Sequence, residues 1–106
     1  MKYGLTDIDL SKLYAVFSKY SDIENVVLYG SRAKGNYQPF SDVDITVRGN
    51  MFTRNQLYNL TRDIDDLLLP YLFDVSIFHN IKNADLFDHI QRVGITIYEK
   101  NNMKLP

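Results

Sequence analysis

Residues 28–47 read LYGSRAKGNYQPFSDVDITV, and the fold is decided by this stretch. Val26-Val27-Leu28-Tyr29 has the length and the β-branched, aromatic character of a buried strand. Gly30-Ser31 breaks that strand ahead of a short Arg32-Ala33-Lys34 segment ending at Gly35. Gly30 lets backbone approach a ligand closely, Ser31 can cap the turn that follows, and the N–H groups of a helix start attract an anion. A phosphate therefore suits the break. Further on, Val43, Ile45 and Val47 alternate strictly with Asp42, Asp44 and Thr46. The period of two in a strand puts both carboxylates on one face.

Carboxylates held that close repel each other and lose hydration, so a protein that keeps them together favours a cation beside them. Hard oxygen ligands select magnesium over zinc. A third acid comes from Phe73-Asp74-Val75-Ser76-Ile77-Phe78, where Phe73, Val75 and Ile77 form one face and Asp74 and Ser76 the other. Each piece also has a plain reading. Asp-x-Asp on a strand is most often a solvated face, Asp74 could be the open side of an edge strand, and Arg32 and Lys34 are by default surface charges.

The joint pattern is more specific than its parts. Gly30-Ser31, a ten-residue gap and Asp42-x-Asp44 resemble the signature of the polymerase-β-type nucleotidyltransferases. The small size is most similar to the minimal MNT-type members. The resemblance implies an α/β (α+β) fold of the polymerase-β type, a small mixed β-sheet with helices packed on it. It further implies catalytic and metal-binding Asp42, Asp44 and Asp74 around two magnesium ions, which in such sites lie roughly 3.5–4 Å apart. Gly30 and Ser31 would hold the β- and γ-phosphates of ATP, with Lys34 or Arg32 neutralising the same charge. The family often has arginine where Lys34 stands, and lysine offers a point charge in place of a bidentate fork.

Around this centre the chain reads as alternating helices and strands. Leu10, Leu13, Tyr14 and Phe17 mark a helix over 9–20, with Thr6, Asp7 and Asp9 as candidate caps. Residues 36–41, with Pro39, form a loop back to a strand over 42–48. Thr53-Arg54-Asn55-Gln56 matches a capping box for the longest helix, whose stripe runs Leu57, Leu60, Ile64, Leu67, Leu68 until Pro70. Asn83 caps a last helix with Leu86, Phe87, Ile90 and Val93 inward and Gly94 at its end, followed by a strand over 95–98. From about residue 98 the polar end reads as a loose tail.

At 106 residues the chain makes one domain with one core, too small for a separate acceptor-binding domain. Its net charge of −1 offers no general attraction to nucleic acid. The absence of cysteine removes disulfides, thiol catalysis and zinc thiolate sites and fits a reducing compartment. No apolar run reaches a membrane span and MKYGLTDIDL lacks a signal-peptide core, so the expected location is cytoplasmic. His79 and His89 fall in no metal-ligand spacing and read as structural or surface residues. The helical Tyr and Phe residues share stripes with Leu and Ile, which makes them core rather than a base-stacking platform.

There is no Walker-type loop, no dinucleotide-binding glycine triplet and no nucleophile elbow. Carboxylates two apart on one strand also lie nearer than glycosidase chemistry requires. The resemblance implies instead AMP transfer from ATP to a hydroxyl of a partner protein. Minimal MNT domains are typically antitoxins that adenylylate a tyrosine of a HEPN-domain toxin, a ribonuclease. Two alternatives stand beside that reading: a non-catalytic antitoxin acting by occlusion, and a small-molecule nucleotidyltransferase of the aminoglycoside-modifying kind.

Overall fold

A computed structural model describes residues 1–100 of the chain, as four α-helices, four strands and one short 3-10 turn. Thr6 starts α1 (Asp7–Phe17) with a capping box: its hydroxyl accepts the Asp9 N–H at 3.0 Å while the Asp9 carboxylate accepts the Thr6 N–H at 3.0 Å. The helix thus begins two residues before the expected start at residue 9, and it ends at Phe17, short of residue 20. Strand β1 (Asn25–Tyr29) runs straight into α2 (Gly30–Lys34), which closes on Gly35 at φ 89°. Strand β2 (Val43–Arg48) follows, so Asp42 lies one residue outside the strand that was expected to contain it.

Thr53 and Gln56 form the expected capping box of α3 (Arg54–Asp65), the longest helix. It stops earlier than its stripe suggested. Leu68 lies beyond the helix with φ 55° and is 87% exposed, because the chain has already turned toward Pro70 and β3 (Phe73–Ile77). A 3-10 turn (Phe78–Asn80) leads to α4 (Ala84–Val93), capped by Asn83, and then to β4 (Ile95–Glu99). Tyr98 and Glu99 belong to that strand, and the Lys100 N–H donates to Glu24 O at 2.8 Å. The loose tail expected from residue 98 is therefore paired through residue 100, and its remainder lies outside the described residues.

The four strands form one mixed sheet in the order β3-β2-β1-β4. β1 is antiparallel to both neighbours, while β2 and β3 run parallel with α3 as their crossover. On one face Val26, Leu28, Val43, Ile45 and Val47 are fully buried against Leu10, Leu13 and Phe17 of α1 and Leu60 and Ile64 of α3. The other face carries a smaller apolar cluster of Val27, Tyr29 and Ile90, where α4 packs on β1 and α2. Over β2 and β3 this face is covered only in part, with Thr46 fully buried, Asp44 half-buried and Asp74 exposed. Alternation along β2 has thus sorted apolar residues toward α1 and α3 and Asp44 and Thr46 toward the α4 side.

Removing buried methyl groups costs transfer energy plus a cavity, so Ile45→Ala should lower the unfolding free energy by about 2–5 kcal/mol. Ile8, on the open side of α1 at 67% exposure, should tolerate the same change within about 0.5 kcal/mol. Urea titration of both variants checks the assigned faces.

Candidate functional site

The parallel pairing of β2 and β3 sets Asp44 directly beside Asp74 in register, with Thr46 beside Ser76 two residues along. All four share one face. Ser76 Oγ donates to Thr46 Oγ1 at 2.9 Å, which ties the two strands together behind the acids. Asp74 and Asp42 are exposed and Asp44 is half-buried. The Asp44 carboxyl is held above its usual range by burial and then by the charges of Asp74 and Asp42, with His89 and Arg32 pulling the other way. The three acids thus crowd one end of the sheet.

Tyr29, opposite Asp44 on β1 and 7% exposed, walls the site from below. Its hydroxyl, beside Ser76, is pushed up by burial and by the charges of Asp74 and Asp44. The next residue, Gly30, adopts φ 75°, a left-handed conformation. A Cβ there would overlap the Asp44 carboxylate, so the glycine turn and the acid are in direct contact. Ser31 is half-buried within α2 and does not cap it: the N-cap is Tyr29, without a side-chain bond. The Gly30 N–H is not free either, since it donates to His89 Nε2 at 3.1 Å. Lys34 is exposed one turn along and makes no ion pair among the described residues.

Arg32 has a different place from the one its charge suggested. It is 2% exposed, with Nε and Nη2 donating to Ser41 O at 3.1 and 2.8 Å, Nη1 to Tyr3 O at 2.9 Å and Nη2 to Pro39 O at 3.3 Å. The rings of Tyr37 and Tyr71 cover the guanidinium at 5.2 and 5.1 Å. Its bonds to three backbone carbonyls tie the N-terminus, α2 and residues 36–41 together. Ser41 is the residue before Asp42. These bonds leave one Nη1 N–H for the phosphate contact expected of Arg32.

The match to the family described as "Polymerase beta, Nucleotidyltransferase" covers residues 11–103. The chain belongs to this nucleotidyltransferase family. No curated protein is similar enough in sequence to count as a match. Among solved structures, a toxin–antitoxin complex with AMP-PNP superposes with a TM-score of 0.68 at 17% identity, over 93% of this chain and 77% of that one. A tri-AMPylated Shewanella oneidensis HEPN toxin in complex with MNT antitoxin gives 0.65 at 13% identity, over 94% and 77%. The toxin–antitoxin MntA–HepT gives 0.64 at 13%, over 92% and 76%. The nucleotidyltransferase thus has the fold that its Gly-Ser and Asp-x-Asp motifs implied.

Asp44, beside Asp74 in register and within the field of Asp42, meets the Gly30 turn at one end of this nucleotidyltransferase's sheet, and Ser31 and Lys34 follow that turn on α2. Among the described residues no three acidic or imidazole side chains converge as a ready-made metal site. The donor set nevertheless suits a hard divalent cation, because it offers only carboxylate oxygen and the charges of Asp74 and Asp42 add to the cost of ionising Asp44. Exposed Phe40 and Leu72, each two residues before an acid in sequence, line a groove of about 410 Å³ with Ser41 and Tyr71. His89 is the residue that sequence reasoning passed over. Its only signal was its place on α4 one residue before the buried Ile90, which says nothing of Gly30, 59 residues away.

A folded-state acid pKa above the unfolded value means stability is lost as pH rises through the folded pKa, because ionised Asp44 is penalised in the fold. Asp44→Asn should therefore unfold at higher urea than wild type at pH 7, and the gain should vanish below the ordinary aspartate value of 3.8, where both states are protonated. Arg32→Lys, which keeps charge but loses the fork and the stacking, should cost about 1.5–3 kcal/mol of stability. Loss of nucleotide affinity in Arg32→Lys with unchanged urea unfolding would instead return Arg32 to the phosphates.

Proposed function

We propose that the protein is a magnesium-dependent adenylyltransferase that transfers AMP from ATP to a hydroxyl, most naturally a tyrosine, of a HEPN-type toxin partner and so acts as its antitoxin. The observation that carries the reading is Asp44 paired in register with Asp74, beside Asp42 and in contact with the Gly30 turn. The AMP-PNP complex and the tri-AMPylated toxin among the structural neighbours support the donor and the partner.

Magnesium, held by Asp42, Asp44 and Asp74, would neutralise the triphosphate and make the α-phosphate more electrophilic. The chain's own groups do the rest. Gly30, lacking a Cβ, admits the phosphates next to Asp44, where the Ser31 hydroxyl can donate to them and Lys34 can balance their charge. Asp74, exposed on the edge strand, would accept the proton of the incoming hydroxyl. The hydroxyl oxygen forms a bond to the α-phosphorus, the bond from that phosphorus to the bridging oxygen breaks, and pyrophosphate leaves with the electron pair. The open rim with Phe40 and Leu72 suits an acceptor carried on another protein's surface, which brings the hydroxyl into line and supplies much of the rate by proximity.

With a HEPN partner and ATP–Mg, intact-mass spectrometry should show AMP-sized additions on the partner. Asp42→Asn/Asp44→Asn should slow this by orders of magnitude while still binding the partner in a pull-down. Protection of cells by both forms with no mass added would replace transfer by occlusion. Equal transfer by both would move the chemistry away from these acids.

A further inference from the structure

The imidazole of His89 reaches the transfer site from α4, an element that carries none of the acids. Its Nε2 accepts the Gly30 N–H at 3.1 Å, across 59 residues of sequence. Nε2 accepts this bond through its lone pair. The ring also stands edge-on to Tyr29, with centroids 6.2 Å apart and planes at 80°. Next to it in sequence, Ile90 is 4% exposed in the cluster with Val27 and Tyr29, which fixes the height and rotation of the helix on the sheet. Gly94 lets α4 sit that close, since a Cβ there would overlap the Ile90 carbonyl and crowd Val27. The imidazole is therefore a rigidly mounted acceptor.

The donor on the other side is equally constrained. Gly30 holds φ 75° and its Cα faces the Asp44 carboxylate with no room for a side chain. Its peptide N–H belongs to a helix of only five residues without a side-chain cap. Little local structure would keep this peptide in place, and an acceptor supplied from another element does so.

We propose that His89 is a positioning residue of the transfer site: it clamps the Gly30 peptide and thereby holds the glycine turn against Asp44. The inference rests on the reading of this turn as the place where the nucleotide's phosphates sit. Through the clamp, the packing of α4 on β1 and α2 sets the distance between the phosphate turn and the acids. An unclamped peptide is free to rotate into the space that the phosphates need.

The test uses the full chain and three variants. Gln at 89 offers a neutral oxygen acceptor of similar reach, Leu keeps apolar contact with Tyr29 but accepts nothing, and Arg offers a cation. In His89→Gln the Gly30 amide should keep slow hydrogen exchange by NMR, and the affinity for ATP–Mg should stay within about threefold of wild type. In His89→Leu that amide should exchange fast, and kcat for transfer should fall on the order of ten- to a hundredfold with urea unfolding little changed, the size of effect that a small misplacement of reacting groups produces. His89→Arg should resemble Leu. Retained kcat and slow Gly30 exchange in His89→Leu overturn the clamp, and full activity in Arg with loss in Gln replaces it by a direct cationic contact to phosphate. Wild-type protein that binds no ATP–Mg sinks the reading of the site itself, whereas wild-type binding with an indifferent His89→Leu sinks only the clamp.

Discussion

Asp44 and Asp74 stand side by side on parallel strands, and keeping two like charges there is the constraint that the rest of the structure serves. Left to themselves the carboxylates would separate, since burial and mutual repulsion both raise the cost of ionising Asp44. The backbone prevents separation. A parallel ladder fixes the register of five residue pairs from Val43–Phe73 to Val47–Ile77, and Thr46 and Ser76 add a side-chain bond along the same face. Slipping by one residue would turn Val43, Ile45 and Val47 to water, so the hydrophobic face and the acid pair are locked by one geometry.

Parallel pairing needs a crossover, and the capping box at Thr53 and the buried Leu60 and Ile64 of α3 provide it. The same helix, together with α1, covers the apolar side of the sheet. On the opposite side α4 covers only the β1 half, through Ile90, Val27 and Tyr29. Hence the core is strong where the acids are absent and open where they project. Nucleotidyl transfer requires both: a stiff base for the carboxylates and room for a triphosphate and an acceptor.

Around that base, buried Arg32 and half-buried His89 contact the glycine turn and the segment after it from different directions. Arg32 fastens the segment before Asp42 by binding the carbonyls of Pro39 and Ser41, and connects it to Tyr3. His89 fastens Gly30 itself. The first is sandwiched between aromatic rings, the second mounted on a packed helix. In sequence Arg32 read as a surface or phosphate-binding charge and His89 as a structural or surface residue.

By itself the sequence determined the strand–turn–helix at Gly30, the alternation that turns Asp44 and Asp74 away from the core, and the capping boxes, because each depends on neighbours within a few residues. It also carried the family, since the spacing from Gly30-Ser31 to Asp42-x-Asp44 is a linear pattern. Helix ends at Phe17 and Asp65 were less legible, for apolar residues such as Leu68 extend the stripe without being covered by anything. Only the tertiary structure decided that Asp74 lies beside Asp44, that Arg32 is buried on backbone carbonyls and that the Gly30 N–H is held by His89. Those are contacts between elements 7 to 59 residues apart, set by the packing of the sheet, the loop and α4. Local periodicity tells a side chain which face to take. It does not tell it which partner will be waiting there.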